Sequence, residues 1–207
     1  MEFKDFFIHD LQTFNTINKD LENIFNSNEN FPMQVFDKEF KHYLFEEFYL
    51  LTSDDFWNTI QYLTNIFNEK EIIFAVLDPN PVDYFYKEFG YFNYLKLPTS
   101  LSKKDYINIL EYGPKNYPAD APLHNSEKIV LFSSSRQWAI WGERSLDVCV
   151  MGFENSTFLN PLLTSPNHWS YLNKSVEKLI SLNFRNMVLT KEFKDDLSKN
   201  YSNNKSV

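Results

Sequence analysis

The sequence predicts an α+β fold, in which a helical N-terminal region and further helices cover a mixed sheet. Apolar residues recur at helical spacing through the first 68 positions, and short continuous apolar runs follow from residue 71. Three strand-like segments with short connections lie between residues 128 and 153. With 207 residues, of which 43% are hydrophobic, the chain suits a single domain over residues 1–200 and a disordered polar tail at 201–207.

Four helices are expected in the N-terminal region. Their apolar stripes cover residues 3–11, 17–25, 36–51 and 56–67. Ser53 is expected to cap the fourth helix, because its hydroxyl can accept a hydrogen bond from a free backbone N–H of the first turn. Asp54 and Asp55 follow it and favour the positive end of the helix dipole.

Strands and helices alternate in the middle of the chain. The expected elements are a buried strand over 71–77, a helix over 82–89, a strand over 91–97 and a helix over 103–111. Pro79 and Pro81 end the first strand, and Gly90 suits the exit of the first of these helices. Ser102 is the expected N-cap of the second.

An antiparallel three-strand meander is the clearest prediction of the C-terminal half. Its strands cover residues 128–133, 137–142 and 146–153. Trp138 and Ile140 point to one side of the middle strand, and Ala139 and Trp141 point to the other. Because both sides are apolar, we expect helices to cover both faces of the sheet. Two helices, over 168–182 and 190–199, are expected to complete the domain.

Composition and charge narrow the class of protein. The single cysteine, Cys149, cannot form an internal disulfide, and residues 1–5 do not resemble a signal peptide. No apolar stretch reaches the ~18 residues that a membrane span needs. We therefore expect a cytoplasmic protein that does not associate with membranes. The net charge of −8 disfavours nucleic acid as a partner, because phosphate binding needs a basic surface.

Common catalytic and cofactor motifs are absent from the sequence. Its four glycines are isolated, so the sequence contains neither the glycine motif of a phosphate-binding loop nor that of a nucleophile elbow. No two histidines have zinc-ligand spacing, and Cys149 lies in an apolar segment that favours an inert thiol. Ser133 and its two serine neighbours are more simply turn residues than nucleophiles activated by His124 or His168. We therefore expect no catalytic residue, cofactor or metal.

Negative charge is concentrated at the start of the chain. Residues 1–60 contain 12 acidic and 4 basic side chains, whereas residues 121–207 contain 8 acidic and 10 basic ones. Clustered carboxylates attract a basic partner and raise its association rate. The acids of the third and fourth expected helices are the predicted contact face: Glu39, Glu46, Glu47, Asp54 and Asp55.

The predicted hairpin at residues 136–144 offers a second set of contact residues. Arg136, Trp138, Trp141 and Arg144 belong to the residue types that dominate the binding energy of protein interfaces. The two tryptophans are three positions apart on one strand, so they face opposite sides and cannot form one flat platform. Plain core packing beneath a charged rim is the competing interpretation.

A short part of the chain resembles a known group of proteins. The segment 118–122 (PADAP), together with 133–152 and its WAIWGER motif, resembles uncharacterised bacterial proteins. Those are similar to the small acidic immunity proteins that neutralise polymorphic toxins. The resemblance implies a non-enzymatic protein that binds a basic toxin, and it supplies no functional residues.

Two alternatives remain open from the sequence. One is a hydrolase whose site is assembled from Asp78, His124 and neighbouring polar residues, since acids at strand ends often serve active sites. It requires Asp78 and His124 to lie within a few ångströms of each other. The other is a structural or regulatory subunit whose tryptophan hairpin docks onto another chain.

Overall fold

A seven-stranded antiparallel sheet organises the molecule. The computed structural model describes residues 3–156, 159–164 and 169–202. The strands are β1 (Phe7–Ile8), β2 (His42–Glu46), β3 (Glu71–Asp78), β4 (Phe92–Pro98), β5 (Lys128–Phe132), β6 (Trp138–Glu143) and β7 (Val148–Phe153), in the order β1-β4-β3-β5-β6-β7-β2. The α+β class is confirmed. The sheet itself is antiparallel at every pairing rather than mixed.

Helices lie on both faces of the sheet. They are α1 (Leu11–Glu22), α2 (Asp54–Ile66), α3 (Lys87–Phe89), α4 (Lys103–Leu110), α5 (Leu159–Thr164), α6 (Lys174–Ser181) and α7 (Lys191–Tyr201). Single turns of 3₁₀ helix cover Phe3–Phe6, Phe48–Thr52, Pro118–Asp120 and Arg144–Leu146, and a π-helix covers Pro81–Tyr86. Within the described ranges, no helix is both long and apolar enough to cross a membrane.

The two faces of the sheet bury separate apolar layers. Trp138 and Ile140 of β6 pack into the layer that contains residues of α2 and α4. Ala139 and Trp141 pack into the layer that contains residues of α1, α6 and α7. This alternation follows from the two-residue period of a strand. The predicted meander β5-β6-β7 and its coverage on both sides are therefore confirmed.

Local capping signals place several helices where the sequence predicts them. The Ser53 side chain accepts a hydrogen bond from Phe56 N at 3.0 Å and starts α2. Ser102 does the same for α4 through Asp105 N at 3.1 Å. Gly90 ends α3 with a φ of 77°, a conformation that glycine adopts without steric penalty.

The prediction of four N-terminal helices is wrong in two places. The expected helix over 3–11 is a 3₁₀ turn followed by β1. The expected helix over 36–51 is replaced by a loop, by β2 and by the 3₁₀ turn Phe48–Thr52. In β2, Tyr43 and Phe45 join one apolar layer while Leu44 joins the other. A short strand buried on both faces has a continuous apolar run, which periodicity cannot distinguish from a buried helix.

The C-terminal boundary also differs from the prediction. Tyr201 was assigned to the tail, but it is the last residue of α7, is fully buried, and its hydroxyl donates a hydrogen bond to Met33 O. The remaining tail, residues 203–207, lies outside the described residues. The helix predicted over 168–182 is observed as α6, and residue 168 is also not described.

Candidate functional site

The five carboxylates of the predicted contact face do not share one surface. Glu39 precedes β2 and is exposed, whereas Glu47 follows β2 and is exposed. β2 is five residues long, so at ~3.4 Å per residue its ends are about 14 Å apart. Glu46 is only 3% exposed. Asp55 is half-buried in the first turn of α2, and the side chain of Asp54 lies outside the described residues.

Both hairpin tryptophans are core residues. Trp138 is 0% exposed and its Nε1 donates a hydrogen bond to Glu69 Oε2 at 3.1 Å. Trp141 is 1% exposed and its Nε1 donates to Glu143 Oε1 at 2.9 Å. Neither side chain can contact a partner in this conformation. Their role as interface anchors is therefore corrected to core packing with a satisfied indole N–H.

The two hairpin arginines lie at opposite ends of β6. Arg136 precedes the strand, and its Nη2 lies 2.5 Å from Asp20 Oδ1 of α1. Arg144 follows the strand and begins the turn that connects β6 to β7. The two arginines therefore do not belong to one contact surface.

Two segments converge at one end of the sheet. β2 and β6 both pair with β7, so the 3₁₀ turn after β2 lies beside the β6–β7 turn. Tyr49 N donates a hydrogen bond to Asp147 Oδ1 at 3.3 Å. The Arg144 guanidinium carbon lies 4.8 Å from the centre of the Phe48 ring and 5.7 Å from that of Tyr49. We call the surface formed by Glu47, Tyr49, Arg144 and Asp147 the turn surface.

Tyr49 is an exposed aromatic member of the turn surface. Its side chain is 59% exposed, whereas the neighbouring Phe48 is 3% exposed. Phe48 therefore anchors the segment in the core while Tyr49 presents its ring outward. A cation within ~6 Å of an aromatic ring attracts it electrostatically, so Arg144 helps to hold the ring in place.

Asp147 is a partly buried carboxylate of the turn surface. Its backbone is left-handed, with φ 47° and ψ 45°, a conformation that aspartate tolerates better than most residues. Partial burial raises the pKa of the Asp147 carboxyl, and the negative charge of Glu47 raises it further. The hydrogen bond from Tyr49 N and the charge of Arg144 act in the opposite direction. Glu47 and Asp147 thus repel one another across the turn.

Arg144 is fixed by the loop that precedes β5. Its Nε donates a hydrogen bond to Ser126 O at 2.6 Å, and its Nη2 donates to Leu123 O at 2.8 Å and to Ser126 Oγ at 2.9 Å. Arg144 forms no salt bridge with a carboxylate among the described residues. Its charge is therefore positioned without being neutralised by direct contact.

A cavity of about 210 Å³ lies beside the turn surface. Its floor is apolar and includes Phe48, Leu51, Phe74 and Leu110. Its polar lining residues are Tyr49, Thr52, His124, Ser126 and Arg144. Charged and apolar groups are thus available to one ligand.

Only one of the two residues named for the hydrolase alternative belongs to the cavity. His124 lines the cavity, but Asp78 is not among the lining residues. Asp78 is exposed at the end of β3, where its backbone oxygen accepts a hydrogen bond from Glu127 N at 2.7 Å. In the part of the chain that the structure describes, no three His, Cys, Asp or Glu side chains form a group that could hold a metal.

The serine cluster contacts a buried carboxylate rather than a histidine. Ser133 Oγ donates a hydrogen bond to Glu69 Oε1. The other carboxylate oxygen of Glu69, Oε2, accepts a hydrogen bond from Trp138 Nε1. Ser133 is 1% exposed and Glu69 is 8% exposed. The hydroxyl is therefore part of the core, as expected for a structural turn. His168, the other histidine considered as its base, lies outside the described residues.

Neither Tyr49 nor the cavity is predicted from the sequence. Tyr49 lies within the helix expected over 36–51 but is not part of its apolar stripe, and the observed local structure is a 3₁₀ turn that leaves Tyr49 exposed. The cavity combines residues from 48 to 144, and no local pattern in the sequence relates these segments. Arg144 was predicted as a contact residue, and the structure places it in both features.

Comparison with family models, curated proteins and solved structures finds no match to this chain.

Proposed function

We propose that the protein is a non-enzymatic binding module that recognises a basic protein partner through the turn surface. The observation that carries the proposal is the position of Tyr49, a largely exposed aromatic residue held between Arg144 and the Asp147 turn. The resemblance of residues 118–122 and 133–152 to proteins similar to immunity proteins supplies the class of partner, a basic toxin.

Tyr49 has the properties of an interface anchor. Tyrosine and arginine are enriched among residues that dominate binding energy, because each combines contact area with directional polar groups. The backbone of Tyr49 is fixed by its hydrogen bond to Asp147, and the preceding Phe48 is buried. A pre-positioned side chain loses less conformational entropy when a partner binds.

The carboxylates of the turn surface favour a cationic partner. Burial raises the pKa of Asp147 and the negative charge of Glu47 adds to the shift, which supports an unfavourable interaction between the two carboxylates in the free protein. A lysine or arginine placed between them would relieve this repulsion. The acidic N-terminal segment adds a longer-range attraction, since residues 1–60 carry 12 acids against 4 basic residues.

Affinity capture with matched variants tests the proposal. We would immobilise wild-type protein, Tyr49→Ala and the double variant Glu47→Gln/Asp147→Asn, and quantify the proteins captured from a lysate of the source organism. We expect one stoichiometric basic protein with the wild type and a loss of about tenfold or more with either variant. Asparagine at 147 retains the left-handed backbone, so the double variant removes charge with little change of shape.

Two control variants test whether the loss of capture is specific to the turn surface. Tyr84→Ala removes a 39% exposed tyrosine from the π-helix, and Glu88→Gln/Asp195→Asn removes two charges from exposed positions elsewhere. Both controls should capture the partner as the wild type does. Equal capture by all variants, or equal loss with the controls, would contradict a role for the turn surface.

A further inference from the structure

We propose that the cavity beside the turn surface binds a small organic carboxylate with an apolar body. The inference does not rest on the proposed protein partner. It follows from the composition of the cavity lining, which combines an apolar floor with a fixed guanidinium and an imidazole.

The apolar floor of the cavity favours a ligand with an apolar body. Phe48, Leu51, Phe74 and Leu110 are each less than 5% exposed, so their side chains form a fixed wall rather than a mobile surface. Small-molecule sites are generally concave and apolar, with a few polar groups that orient the ligand. The cavity volume of about 210 Å³ is below the ~300–1,000 Å³ usual for drug-sized ligands, which limits the body to one ring or a short branched chain.

Arg144 supplies the positive charge that would bind the carboxylate of the ligand. Its Nε and Nη2 bond the 123–126 loop, so one edge of the guanidinium is occupied and the plane is fixed. Its Nη1 has no acceptor among the described residues. A charged donor of this kind forms strong hydrogen bonds to carboxylate oxygens.

His124 adds a second polar group to the same lining. Its side chain is exposed and forms no hydrogen bond within the described parts of the chain. An imidazole nitrogen that carries its proton can donate to the second carboxylate oxygen. Arg144 and His124 thus offer donors from two different elements, as an oriented carboxylate requires.

Among the residues that the structure describes, none that lines the cavity is acidic, although the protein carries a net charge of −8. The charge of Arg144 acts to lower the pKa of Asp147, but the Asp147 carboxylate accepts a hydrogen bond from Tyr49 N and forms no ion pair with the guanidinium among the described residues. The lining therefore favours an anion over a cation or a neutral molecule of the same shape.

Titration with benzoate and benzamide tests this assignment on the full chain. The two probes share a ring but only benzoate is charged, and backbone amide shifts in ¹H–¹⁵N spectra at constant ionic strength report where each binds. We expect saturable benzoate shifts at Leu51, Leu123 and Arg144. We expect benzamide to bind about tenfold more weakly, which corresponds to about 1.4 kcal/mol.

Matched arginine variants identify the charge that matters. Arg144→Met should weaken benzoate binding about tenfold, and Arg136→Met, which removes a half-buried arginine from the other end of β6, should leave it unchanged. If Arg144→Met does not give a folded spectrum, Leu123→Phe fills the cavity while keeping the arginine, and it should abolish binding of both probes.

Three results would overturn the assignment. They are equal affinity for benzoate and benzamide, equal weakening by the two arginine variants, and unchanged benzoate binding in a folded Leu123→Phe protein. Absence of saturable benzoate shifts up to the solubility limit would overturn it as well. None of these results depends on whether a protein partner binds the turn surface.

Discussion

Replacing Trp138 with phenylalanine removes a buried indole N–H that contacts a buried carboxylate. In the folded protein, Trp138 Nε1 lies 3.1 Å from Glu69 Oε2, and Glu69 is only 8% exposed. The Ser133 hydroxyl would still bond the other carboxylate oxygen. The variant therefore leaves one oxygen of a buried carboxyl group without its donor, and it leaves a small void where the larger ring was.

The expected loss of stability is about 3 kcal/mol. A hydrogen bond to a carboxylate contributes ~1.5–3 kcal/mol, most of which is lost with the indole N–H. The change from indole to phenyl adds about 1 kcal/mol for the void, by analogy with small core truncations. By contrast, Tyr49→Ala should change stability by less than about 1 kcal/mol, because it removes an exposed ring and one cation–π contact.

Urea unfolding at neutral pH, followed by circular dichroism, measures both variants. The two proteins should show the same dependence on denaturant as the wild type, with a clearly lower midpoint for Trp138→Phe only. A loss below about 1 kcal/mol for Trp138→Phe, or an equal loss for Tyr49→Ala, would refute the assignment of Trp138 to the core and of Tyr49 to the surface.

Three further outcomes follow from the structure. Gly152→Ala should destabilise the fold by about 1–3 kcal/mol in thermal unfolding, because the added Cβ would lie 2.4 Å from Phe40 Cδ2; unchanged melting would contradict this packing. Burial raises the pKa of Glu143, so the folded state retains the proton more tightly than the unfolded state. The contribution of Glu143 to stability should be greatest below the ordinary value of 4.5 and should be lost as pH rises through the folded pKa, and Glu143→Gln should remove this part of the pH profile in urea titrations. Cys149 is fully buried, and burial raises the pKa of its thiol, so a thiol reagent should modify it only when the protein is unfolded; rapid modification of the native protein would be inconsistent with the structure.

Local signals explain which parts of the fold the sequence predicts. The helices that begin at Ser53 and Ser102 start with a hydrogen bond between residues three apart, so their capping chemistry can be read directly. The meander is visible because its strands are adjacent in sequence and separated by short turns. The strand β2 pairs with β7, about a hundred residues later, and nothing within its own five residues reveals that partner.

The candidate site depends on contacts of the same long-range kind. The partner of Trp138 is Glu69, 69 residues earlier, so the sequence could not decide between a buried and an exposed indole. The contact between Tyr49 and Asp147 spans 98 residues. Arg144 was recognised by residue type alone, and its fixed geometry comes from carbonyl groups 18 and 21 residues away. The sequence therefore indicates the chemical type of each residue, but it does not predict which distant residues come into contact.

The salt dependence of partner association tests the central claim most directly. Using the partner captured by the wild-type protein, we would measure its association rate across a range of salt concentrations with the wild type, Glu47→Gln/Asp147→Asn and Glu88→Gln/Asp195→Asn. At low salt, we expect the first double variant to associate about tenfold more slowly and with a shallower salt dependence, while the second behaves as the wild type. Identical rates and salt dependence for all three proteins would contradict recognition of a basic partner by the turn surface.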